Sequence, residues 1–238
     1  MKNKFRNFAA AIMAMAVTSA CDDGRIYPDS TTPTQREGLT MKLTGHLTGT
    51  NSWADGYTVA VAAFDEESPY ALITKNITGE GDVQIVMNAI PAEATQVELC
   101  IIDRLRTRIA TIAQQNTASL GDTRDTLTMD VGTIDLGMMA LLQQNVFTPR
   151  CAGCHGLSSH TAAGIDLTEG NTYNNIVGKP SKHIEGKNIV KPNNYDESVL
   201  GLMLDTNLTS TWGYDHQRAD ISDTWRKILK DWIENIEQ

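Results

Sequence analysis

The chain has 238 residues, with 20 Lys and Arg against 29 Asp and Glu and a formal charge of −9 at neutral pH. This acidity argues against nucleic acid as a partner, because such a surface repels the phosphate backbone; it favours basic docking partners instead. The length suits one large domain or two modest ones.

The chain opens Met1-Lys2-Asn3-Lys4-Phe5-Arg6, followed by an apolar run from Phe8 to Val17. Three cations ahead of a run too short to span a bilayer read as a secretory signal peptide over residues 1–20. The segment ends Val17-Thr18-Ser19-Ala20-Cys21, which resembles the lipobox of bacterial lipoproteins, where cleavage exposes a cysteine for acylation. An ordinary signal peptide with an incidental Cys21 is the alternative. Lipidation at Cys21 predicts a membrane-anchored protein of the cell envelope, facing the periplasm or the cell surface, since more than one acyl chain gives stable attachment. Loss of Lys2, Lys4 and Arg6 with the leader takes the formal charge to about −12. Residues 21–37 are rich in Asp, Pro, Thr and Ser without an apolar period, and read as a flexible tether.

Residues 38–136 carry a β pattern. Leu39, Met41 and Leu43 alternate with Thr40, Lys42 and Thr44, and Tyr57, Val59 and Val61 alternate with Thr58, Ala60 and Ala62. Further strands are expected at Tyr70–Ile73, Val83–Met87, Val97–Ile102, Arg108–Ala113 and Thr126–Val131, separated by turn clusters such as Thr78-Gly79-Glu80-Gly81-Asp82. The count and spacing predict an antiparallel β-sandwich, Ig-like or transthyretin-like. His46 falls on the polar phase of the first strand and reads as a surface histidine. Cys100, inside an apolar strand, reads as a small buried hydrophobe.

From residue 137 the pattern changes. Gly137 through Phe147 has apolar residues at 138, 141, 142 and 146, one helical stripe. It runs through Thr148-Pro149-Arg150 into Cys151-Ala152-Gly153-Cys154-His155. C-x-x-C-H is the spacing by which two thiols bond the two vinyl groups of one haem, so the motif reads as c-type haem attachment through Cys151 and Cys154. His155, on the same turn, is placed to be the proximal iron ligand. A thioredoxin-type disulfide would leave His155 without a role and lacks a surrounding βαβ pattern. A structural zinc site would need a second Cys/His pair at ligand spacing. The exported compartment predicted by the leader agrees with haem attachment.

More of the C-terminal part than this pentapeptide resembles the planctomycete-type cytochrome c domains. Gly164-Ile165-Asp166-Leu167 is similar to their small-Gly-Leu-Asp-Leu segment, and Tyr173 through Ser181 to their next short helix and loop. Val190 through Leu200 is similar to their Val-x-Pro-Gly-x-x-x-x-Ser-x-Leu segment, with Asn193 where glycine is usual. Ile221 through Asn235 resembles their closing helix, and Trp225, Ile228, Leu229, Trp232, Ile233 and Ile236 independently form one helical face. The resemblance covers about residues 137–236, and implies an all-α cytochrome c fold over 137–238 binding one covalent haem c. The chain departs from that family at the sixth iron ligand. Where those domains carry a Met-Pro pair, this chain reads Thr211-Trp212-Gly213-Tyr214-Asp215-His216-Gln217. His216 takes the methionine's place as the expected distal ligand, with Met203 as runner-up and His160 and His183 as further candidates. Tyr214 or Asp215 could orient His216, and Lys179, Lys182 and Tyr173 are candidate contacts for the haem propionates.

The expected whole is a multidomain lipoprotein, an N-terminal sandwich followed by an all-α cytochrome c fold, that exchanges single electrons with redox protein partners of the envelope. It reads as a carrier rather than a catalyst. Two other classes stay open: an envelope binding module for carbohydrate or protein with an accessory haem domain, and a haem sensor or enzyme with an open distal site.

Overall fold

A computed structural model describes residues 38–119, 126–156, 161–206 and 213–236. The leader, Cys21, the tether and His160 lie outside the described residues. Among the described residues no helix is long and apolar enough to cross a membrane.

Seven strands, β1 (Leu39–Thr48), β2 (Tyr57–Phe64), β3 (Ile73–Asn76), β4 (Gly81–Ile90), β5 (Gln96–Asp103), β6 (Arg108–Asn116) and β7 (Thr126–Asp135), form two sheets. Their orders are β4-β1-β7 and β3-β2-β5-β6. Alternation dictates which side is buried: Met41, Leu43 and Leu47 of β1, Val59 and Val61 of β2, and Val97, Leu99 and Ile101 of β5 share one core. In the segment expected as a strand at Tyr70–Ile73, the regular strand β3 begins only at Ile73; before it Tyr70 makes a single bridge to Thr107, Ala71 N bonds Arg106 O and Leu72 N bonds Ala63 O.

The outer face of β5 holds Glu98, fully buried, beside Arg108 and the Thr111 hydroxyl, which donates to Glu98 Oε2 at 2.8 Å. Arg108 Nη2 stands 2.8 Å from Glu98 Oε1 without hydrogen-bond alignment, and its guanidinium lies 4.0 Å from the Phe64 ring centroid. Cys100, on the same face, is buried, and burial foremost, then Glu98, pushes its thiol up to about 12. It is an inert core thiol.

The chain after β7 has four short α-helices among the described residues: α1 (Met138–Leu142), α2 (Thr172–Ile176), α3 (Val199–Asp205) and α4 (Asp223–Glu234). A π-helical stretch, Gln143–Cys151, continues α1 into the C-x-x-C-H motif. Only α4 exceeds seven residues. Ser222 caps it by accepting from Trp225 N, and Ile228, Leu229, Trp232 and Ile233 bury one face, each worth roughly 1.5–3 kcal/mol against exposure.

This arrangement overturns the expected fold class. There is no separate all-α cytochrome c fold, and the sheets are not wholly antiparallel, since β1 pairs with β7 in parallel. The C-terminal lobe packs on the sheets within one compact unit, residues 37–238. Trp53, Tyr57, Ile109 and Trp225 pack against both the sheet core and the C-terminal core. Gly49 and Gly137 touch where β1 ends and α1 begins; a Cβ on Gly49, already at φ +71°, would lie 2.4 Å from Gly137 N. The physical reason for the missing helices is composition. Gly153, Gly156, Gly164, Gly170, Gly178 and Gly186, with Pro180 and Pro192, break up the run from the motif to α3, where α2 is the one α-helix among the described residues.

Candidate haem-binding site

The π-helical stretch and the turn after it present the motif. Ala152 N bonds Phe147 O, an i to i−5 pairing, and both Cys154 N and His155 N bond Cys151 O, so Cys151 through His155 form one tight turn. The stretch is seated by Val146 and Phe147, both buried, with Phe147 edge-on to Trp232 of α4 at 6.5 Å between ring centroids. The returning segment 161–167 locks the turn from the other side: Ala162 N bonds Cys154 O, and Leu167 N bonds His155 O. Gln143 reaches across to donate to Leu167 O at 3.0 Å.

Cys151 and Cys154 are both free thiols, Cys151 half-buried and Cys154 exposed. Burial foremost, with the neighbouring Cys154 second, pushes the Cys151 thiol up to about 11. That is the reverse of a thioredoxin-type pair, whose attacking cysteine is held low. His155 Nδ1 lies 3.0 Å from Ala162 O. A carbonyl only accepts, so Nδ1 carries the proton and Nε2 is the nitrogen that can meet a metal.

His216 comes to the same place from 61 residues further on. It opens a single 3₁₀ turn, His216–Ala219, between Asp215, whose side chain accepts from Gln217 N at 3.1 Å, and Asp220, in the left-handed conformation at φ 51°. The His155 and His216 ring centroids are 6.3 Å apart with their planes 31° from parallel. An imidazole nitrogen sits about 2 Å from a first-row metal ion, and the ring centroid about 1 Å further back, so two imidazoles facing one iron stand about 6 Å apart. This spacing would suit both imidazoles as ligands of one haem iron. Among the described residues no three His, Cys, Asp or Glu side chains converge on a point; two imidazoles are the donor set for an iron whose other four ligands come from a porphyrin. Burial lowers the pKa of each histidine, helped at His216 by the neighbouring His155, which favours the neutral, ligating form.

Tyr214 stands edge-on to His216 at 5.1 Å, and its backbone hydrogen-bonds the imidazole. Met203 lies on α3 and packs against the C-terminal core. His183 sits exposed in the 181–187 turn, where its N–H bonds the Ser181 hydroxyl. Tyr173 packs edge-on to Trp232 at 6.3 Å. Lys182 Nζ lies over the 162–164 turn that receives His155, 2.7 Å from where a Cβ on Gly164 would stand. Lys179 is exposed and holds the following loop through its carbonyl, which accepts from Ile189 N at 2.7 Å. Asn193, where the resemblance wants glycine, is at φ 60°, a conformation asparagine tolerates, and its N–H bonds Ile233 O at 2.8 Å.

Two contacts around the pair have no sequence signal. Arg150, next to Cys151, faces Asp220 at 3.3 Å, an exposed ion pair of small energetic value. Arg226 of α4 donates to carbonyls on both sides of the His216 turn.

No family model, no curated protein and no solved structure matches the chain. The likeness of residues 137–236 to planctomycete-type cytochrome c domains therefore rests on the quoted motifs alone.

Proposed function

We propose that this chain is a lipid-anchored, monohaem c-type electron carrier of the bacterial cell envelope. The observation that supports it most is the approach of His216 to His155, 6.3 Å between centroids, beside two free thiols at haem-attachment spacing. Cys151 and Cys154 would hold the haem through thioethers, His155 would ligate from the proximal side and His216 from the distal side. Haem supplies an iron that changes its charge by one electron.

The chain's own residues do the rest. Ala162 O fixes the His155 tautomer, keeping Nε2 as the ligand atom. His155 and His216 would hold the iron as two neutral imidazoles, a donor set that would suit electron exchange and leave no site for a substrate; a second imidazole in place of a thioether lowers the reduction potential. Outside the motif, the acidic surface favours basic redox partners through electrostatic steering. An acylated Cys21 would keep the protein at the membrane.

The direct test is covalent attachment. The mature protein is made in a host that attaches haem c, denatured, and stained for haem on a gel. Wild type is expected to carry stain that survives denaturation, and a Cys151→Ser/Cys154→Ser variant to carry none. Wild type without covalent haem would sink the proposal and leave the envelope binding module as the reading to pursue.

A further inference from the structure

The turn that carries His216 is held from α4. It is a single 3₁₀ winding, and of the residues from Gly213 to Ile221 only Ile221 is buried. The segment is tied down by side chain to backbone hydrogen bonds, and three come from one guanidinium. Arg226 Nη1 donates to Leu204 O at 2.8 Å, Nε to Ile221 O at 3.0 Å, and Nη2 reaches Gln217 O at 3.5 Å. Gln217 completes the seam by donating to Asp205 O at 3.0 Å. Leu204 and Asp205 end α3, where helical carbonyls have no partner of their own. Arg226 thus joins the end of α3, the residue after His216 and the residue that leads into α4. Its rigid fork spreads donors over three nitrogens and so reaches three separate carbonyls, whereas a lysine has its three donors on one nitrogen.

We propose that Arg226 is the positioning residue for the distal ligand, holding the 216–221 turn so that His216 stands opposite His155. This rests on the proposed haem ligation. Arg226 touches neither imidazole and acts through the turn. Loss of its hydrogen bonds, which involve a charged donor, should raise the fraction of molecules with His216 off the iron by about tenfold or more.

The test uses the full mature chain with haem attached, comparing Arg226→Gln, Arg226→Lys, His216→Ala and the exposed control Arg218→Gln by low-temperature EPR and absorption. Arg226→Gln is expected to retain covalent haem and wild-type far-UV circular dichroism, yet to show the high-spin signal of His216→Ala. Imidazole added to the solution should restore the low-spin form, showing that the variant keeps its haem and has lost only the distal ligand; the unchanged circular dichroism separates this from damage elsewhere in the fold. Arg226→Lys should fall between, and Arg218→Gln should match wild type. An Arg226→Gln protein with wild-type low-spin signals overturns the proposal. Should that variant not fold, Arg226→Lys decides: shifted g values support the role, and unchanged ones overturn it. If the wild-type signal does not depend on His216, the ligation reading falls and takes this role with it; if it does depend on His216 while the Arg226 variants are silent, only this role falls.

Discussion

The sheets and the C-terminal lobe are held together by different means. In the sheets the backbone pairs with itself over long registers, β1 against both β4 and β7, and β5 against both β2 and β6. In the lobe, individual side chains bind backbone groups at turns. Ser198, fully buried, donates to Asn194 O and accepts from Lys191 N; Glu234 accepts from Tyr195 N; Gln143 and Arg226 bind carbonyls of distant loops. A regular ladder makes a stiff body that tolerates surface change. Pinning by single side chains can place a motif on an irregular loop, and each pin is a point of failure. Histidines 61 residues apart can meet in the second kind of structure because loops, unlike strands, need not keep a register.

The largest test of this comparison is core truncation on each side of it. Leu99→Ala in the sheet core should cost about 2–5 kcal/mol, and Trp232→Ala in the lobe about 3–5 kcal/mol, since both side chains are buried. Because the two cores share Trp53, Tyr57, Ile109 and Trp225, each variant should lower one common thermal transition, read by calorimetry and by far-UV circular dichroism. Two separated transitions, each moved by only one variant, would show independent domains.

A smaller effect is expected at the seam. The Tyr57 hydroxyl donates to Asp231 Oδ2 at 2.5 Å, and Lys227 Nζ donates to the Tyr57 oxygen at 2.9 Å. Tyr57→Phe should cost about 1 kcal/mol. Burial foremost, then Asp231, raises the Tyr57 pKa, and Asp231 foremost raises that of Lys227. Folded chains therefore keep these protons longer than unfolded ones. The stability they confer is fully present below about pH 10 and fades as pH climbs through the raised values. Chemical denaturation of wild type should show stability falling above about pH 10, with a shallower fall in Tyr57→Phe. Equal slopes would remove the seam from the account.

Much of the sheet region is legible in the sequence, because Leu39, Met41 and Leu43 or Tyr57, Val59 and Val61 announce which side of a strand is buried. What those patterns do not announce is partnership. The parallel pairing of β1 with β7 joins residues more than eighty positions apart, and the Glu98–Arg108 pair hides a charge inside an apolar run. In the lobe, C-x-x-C-H stands out because its residues are adjacent, and His216 because of its distance from the closing helix; what the fold adds is that the His155 and His216 rings lie 6.3 Å apart. The all-α expectation fails because glycine and proline separate the short helices, and the lobe shares Trp53, Tyr57, Ile109 and Trp225 with the sheet core. Arg226 reads in sequence as a solvated cation on an amphipathic helix; only the fold shows that three carbonyls converge on it.

Whether His155 and His216 hold one iron between them is decided by low-temperature EPR of the haem-loaded mature protein with and without His216→Ala. Low-spin bis-histidine signals in wild type that give way to high-spin signals in the variant are the predicted result. Wild-type high-spin iron, or low-spin signals untouched by the substitution, would contradict it.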